Sequence, residues 1–75
     1  MAENCAKCHE LRDLASLATI RHMRALTRLE VAELRRELAA IPDLRAALSE
    51  TCRERMKATE AFQAHAKTHA SATTA

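Results

Sequence analysis

One proline, at position 42, and no glycine at all constrain this 75-residue chain more than any other feature of its sequence. Glycine supplies the positive φ angles of tight turns and bulges, and proline presets turn corners, so the chain has little material for changing direction often. The only aromatic residue is Phe62, and the β-branched residues are scattered rather than gathered into strand-like runs. Alanine, leucine, arginine and glutamate, which lose least on entering a helix, dominate instead. The expected class is therefore all-α, with few and long helices in one domain spanning residues 1–75.

Hydrophobic spacing predicts two such helices. The first runs from about His9 to Ala40, where Leu17, Ile20, Val31, Leu34, Leu38 and Ile41 fall at a/d-like intervals interrupted by Arg24 and Thr27. A second strip, Leu11, Ala18, His22, Ala25 and Leu29, lies along another side of the same helix. Two strips imply two neighbours: the second helix, and either another copy of the chain or a different protein. Proline is tolerated in a first helical turn but breaks an interior one, so the second helix is expected to start near Pro42. It runs over about 43–69, with Leu44, Leu48, Thr51 or Cys52, Ala58, Phe62, His65 and His69 on one face. Asn4 is a candidate N-cap, and the small polar tail 70–75 is expected to fray. The prediction is an antiparallel helical hairpin turning at 41–43. Its rival is one long helix kinked at Pro42, since without glycine the first helix lacks its usual C-terminal stop.

A chain this short, with many of its apolar residues alanines, buries too little area to be secure alone and calls for a disulfide, a metal or a second copy. Cys5-Ala6-Lys7-Cys8 is a C-x-x-C pair and His65-Ala66-Lys67-Thr68-His69 an H-x-x-x-H pair. Two thiolates at this spacing can share one edge of a metal's coordination shell, and two imidazoles at i and i+4 on one helix face can supply the opposite edge. Cys5, Cys8, His65 and His69 are thus the candidate ligands of a closed, structural zinc site. The predicted register leaves a gap. A turn centred near Pro42 sets His65 opposite Ile20 and His69 opposite Ser16 or Leu17, about eight residues and over 10 Å short of the cysteines. The gap closes if the segment before Leu11 folds back, if the turn is offset, or if two chains share the ligands.

Other chemistries fit less of the sequence. Cys5-Ala6-Lys7-Cys8-His9 resembles the c-type haem attachment motif over those five residues alone, and Met23 and Met56, the axial candidates, sit in helix-forming sequence. A dithiol redox role lacks the strands of a thioredoxin-like setting. Histidines near a helix end also serve as simple caps, with the thiols free. Catalytic zinc is disfavoured because His-Ala-Lys-Thr-His lacks the glutamate of H-E-x-x-H and four protein ligands leave no open position. Cys52 and His22 read as packed residues. No nucleophile–base–orienter set is present, so no catalytic residue and no small-molecule substrate are expected.

There is no acid between Asp13 and Glu30, while Arg21, Arg24 and Arg28 follow at i, i+3 and i+7 and Arg35 extends that side. The stripe could meet an acidic protein surface or a phosphate backbone, or simply pair with the second helix, where the predicted register brings Arg35 near Glu50. Two functions follow: a non-enzymatic zinc-binding module for protein interaction, or a nucleic-acid-associated, transcription-related accessory factor. The architecture resembles the zinc-bearing helical regulators of the bacterial DksA/TraR type. Those carry two neighbouring C-x-x-C pairs and an acidic coiled-coil tip. Here one pair joins two distant histidines, and the tip Ala40-Ile41-Pro42-Asp43 has one acid, so their activity and residues do not transfer. No basic stretch leads into an apolar run at the N-terminus, and no apolar run reaches the roughly 18–20 residues of a membrane span. The expected location is the cytoplasm, with no membrane partner.

Overall fold

The computed structural model describes residues 5–74, with side-chain surroundings through residue 69. It is an antiparallel hairpin of two helices, α1 (Ala6–Arg35) and α2 (Ile41–Thr74), some 56 Å long and 16 × 14 Å across. No strand occurs among the described residues. The all-α hairpin expected from the sequence is the observed fold. No helix of the described residues is long and apolar enough to cross a membrane.

The turn lies upstream of its expected place. Rather than turning at 41–43, the chain leaves α1 after Arg35 and enters α2 at Ile41. Arg36 takes the left-handed conformation that glycine would normally fill, at φ 57° and ψ 42°. Its N–H donates to the Ala32 and Glu33 carbonyls, and the N–H of Glu37 reaches back to Ala32 O at 2.9 Å. These bonds satisfy carbonyls at the end of α1 and stop the helix without glycine. Leu44 N–H then donates to Ala40 O at 3.1 Å, starting the ladder of α2. Pro42 falls inside that first turn, where its missing N–H has no intrahelical partner to lose. Proline therefore marks where α2 has already begun, not where α1 ends. At the other end α2 continues to Thr74, through the segment expected to fray. The proposed cap Asn4 lies outside the described residues. The observed N-cap is Cys5, in an extended conformation, with its Sγ accepting from Cys8 N–H at 3.4 Å.

The seam between the helices uses the strip of smaller residues. Along α1, Cys8, Leu11, Ala15, Ala18, His22, Ala25, Leu29 and Ala32 follow at alternating steps of three and four, and all are buried or half-buried. Along α2, Ile41, Leu44, Leu48, Thr51, Ala58, Phe62, His65 and His69 do the same and are half-buried, with exposed Arg55 completing the pattern. Such a 3-4 alternation is the seam of a helix pair crossing at a shallow angle. Of the five buried residues among those described, four, Cys8, Ala18, Ala25 and Ala32, are small, and Leu29 is the fifth. Two of the seam's polar members meet halfway along, where Arg55 Nη1 donates to His22 Nδ1 over 3.3 Å. The strip read first from the sequence faces away from α2: Leu17, Ile20, Val31 and Leu34 stay 44, 47, 38 and 84% exposed.

Candidate metal centre

The seam periodicity that packs the hairpin also delivers the candidate ligands. Cys8, His65 and His69 occupy its last positions at the end farthest from the turn, and Cys5 joins them as the N-cap of α1. The ligand atoms of Cys5, Cys8, His65 and His69 all lie within 4.8 Å of one another, so the four are close enough to hold one metal ion. Cys5 Sγ is 3.3 Å from His65 Nε2, and His65 Nε2 is 3.2 Å from His69 Nε2. Ligands held about 2.0–2.3 Å from a tetrahedral ion sit about 3.3–3.8 Å from one another, so these two edges are already near coordination length. The imidazoles meet edge to face, with ring centroids 4.9 Å apart at 76°, which lets both Nε2 atoms point to one spot.

The offset turn is what closes the register gap. Moving its centre from Pro42 to about Leu38 counts once on each helix, so facing residues shift by about eight positions, or about 12 Å. His65 and His69 then reach the start of α1 within a single chain. No fold-back of the segment before Leu11 is needed, since α1 is already helical from Ala6.

The two thiols differ in electrostatic setting. Cys5 is drawn down from 9.0 to about 6, first by its hydrogen bond with His65 and then by the Cys8 N–H. Cys8, 4% exposed, is pushed up, mainly by burial and then by its neighbour Cys5. One thiolate is thus available near neutral pH, and a bound cation would favour the second. The Cys8 N–H directed at Cys5 Sγ supports the charged form of the first. One turn along, the Arg12 guanidinium lies over the Phe62 ring at 5.9 Å and covers this end of the seam. The sequence reading did not single out Arg12. The signal was its place four residues after Cys8, on the same face of α1.

Cys52 is half-buried and free, beside Arg55, Met56, Thr59 and Glu60, apart from the cluster. Arg21, Arg24 and Arg28 are exposed and line a groove with Glu50 and Glu54 of α2, yet make no ion pair among the described residues. Arg35 pairs with Glu37 at 3.9 Å rather than approaching Glu50, because the shifted register carries Glu50 down α1 to the level of the other arginines. Comparison with protein-family models, curated proteins and solved structures gives no match for this chain.

Proposed function

We propose that this chain is a small, non-enzymatic zinc-binding protein in which the ion clamps the open end of a helical hairpin that presents its outer face to a protein partner. One observation carries the reading. Four ligand atoms of the types zinc prefers, from segments 60 residues apart, converge within 4.8 Å. Two thiolates and two imidazoles favour zinc over calcium or magnesium, which take oxygen ligands. A Cys₂His₂ set fills the tetrahedron, so the ion would hold the fold rather than activate water. A reducing compartment such as the cytoplasm would keep the cysteines available as thiolate ligands.

Native mass spectrometry with elemental analysis tests this reading directly. One zinc per chain, removed by a chelator together with the helical circular dichroism, is the expected result. A metal-free chain of undiminished helicity would reject it. The unpaired Arg21, Arg24 and Arg28 motivate the second reading, a nucleic-acid-associated factor, which requires duplex DNA binding that weakens steeply with salt.

A further inference from the structure

We infer that the outer face of α1 receives an acidic amphipathic helix of another protein, a conclusion that rests on the interaction-module reading and names the chemistry of its partner. The face is a heptad strip opposite the seam: Leu17, Ile20, Arg24, Thr27, Val31 and Leu34, again at steps of three and four. Its large apolar members are 38–84% exposed, and a shallow groove of about 390 Å³ runs between Ile20, Met23, Arg24, Thr27 and Arg28. The Thr27 hydroxyl donates back to Met23 O at 3.0 Å, so its hydrogen bond is satisfied within the helix. Arg24 is the one charge on the strip's midline.

Charge decides among the occupants. Arg21, Arg28 and Arg35 line one edge of the strip, and Glu30 lies on the other. A second copy packed parallel would set Arg24 against Arg24 at the centre. Packed antiparallel, it would set the edge of Arg21, Arg28 and Arg35 against its own like. Either way the like charges oppose self-pairing. Nucleic acid fits poorly too, because phosphates would leave Leu17, Ile20, Met23 and Val31 without apolar cover. A helix with leucines at a and d, and glutamates at its edges and opposite Arg24, satisfies both the apolar strip and the arginines. Glu50 and Glu54 stand across the adjoining groove without pairing to the arginines, which leaves the guanidinium groups able to turn to a new carboxylate.

The test uses the full chain, its zinc content measured on the same sample, and a designed three-heptad peptide with leucine at a and d except for one glutamate opposite Arg24, and glutamate at e and g. Fluorescence anisotropy should show saturable one-to-one binding. A lysine version of the peptide should bind on the order of tenfold more weakly or worse. The triple variant Arg21→Glu, Arg24→Glu, Arg28→Glu should reverse that preference, and Ile20→Asp should abolish binding with helicity intact. Equal binding of both peptides, binding unaffected by Ile20→Asp, a stable dimer of the free chain in sedimentation, or duplex DNA bound instead would each overturn the inference. A zinc-loaded helical chain that ignores the acidic peptide refutes the partner while leaving the zinc reading standing. A chain without zinc that binds it does the reverse.

Discussion

On the inner face of α1 the buried positions are mostly alanines, Ala18, Ala25 and Ala32, whereas on the outer face Leu17, Ile20, Val31 and Leu34 stand in solvent. Small residues at a seam let two helices approach closely, but a buried methyl contributes only about 0.8 kcal/mol, against about 1.5–3 kcal/mol for a buried leucine. No side chain of the described residues is fully buried. Along α1 the seam thus buries mostly small apolar residues, with Leu29 and the half-buried Leu11 as its large members, while several of the helix's larger apolar residues stay exposed. The contrast is why we propose a clamp for the inner face, which buries little, and a partner for the outer face, which stays exposed. The two proposals are complementary.

The largest expected effect comes from removing the clamp. Cys8→Ser or His65→Ala should abolish tight zinc binding and most of the helical signal, because metal-binding energy is folding energy in so small a domain. A melting curve like that of the parent in both variants would show that the alanine seam is sufficient after all. Next in size is a direct contrast of the two faces in the zinc-loaded protein. Leu29→Ala, on the seam, should cost about 2–4 kcal/mol in urea unfolding, whereas Leu34→Ala, on the outside, should stay within about 0.5 kcal/mol. Equal costs would erase the distinction between the faces.

The smallest effect is a proton count. In the folded hairpin Cys5 lies at about 6, below its ordinary 9.0, and Cys8 lies above its own ordinary value. A lowered thiol contributes stability that is complete above about 9 and is lost as the pH falls through about 6, while the raised Cys8 acts in the opposite sense. At pH 7.5 a preformed metal-free hairpin would release close to one thiol proton on taking up zinc, and an unfolded chain close to two. If the ion is the staple proposed above, calorimetry in buffers of different ionisation enthalpy should give close to two. A value of one would mean that the seam preforms the site.

The sequence made the helical class and the candidate ligand set legible, because glycine is absent, because the strand formers are scattered rather than gathered into runs, and because two pairs with metal-ligand spacing stand near opposite ends of the chain. It did not reveal which strip of α1 would be the seam. Leu17, Ile20, Val31 and Leu34 carry the stronger apolar signal, but hydrophobicity alone does not register that Ala18, Ala25 and Ala32 permit the closer approach. The turn was hidden for a related reason. Proline is a visible punctuation mark, whereas the left-handed conformation of Arg36 leaves no trace in residue type. That one residue sets the register, and the register decides whether the histidines reach the cysteines.

Cys5 and His65 are 60 residues apart, at the end of the hairpin opposite the turn. Closing so long a loop first costs more entropy than closing the five-residue connection Arg36–Ala40, so the helices are expected to zip from the turn outward and the candidate ligands to meet last. A grip made after the folding barrier slows unfolding and leaves the rate of folding nearly untouched. With zinc as the clamp, the ion governs the lifetime of the hairpin rather than the pace of its formation, and the outer face remains presented for as long as the ion stays bound.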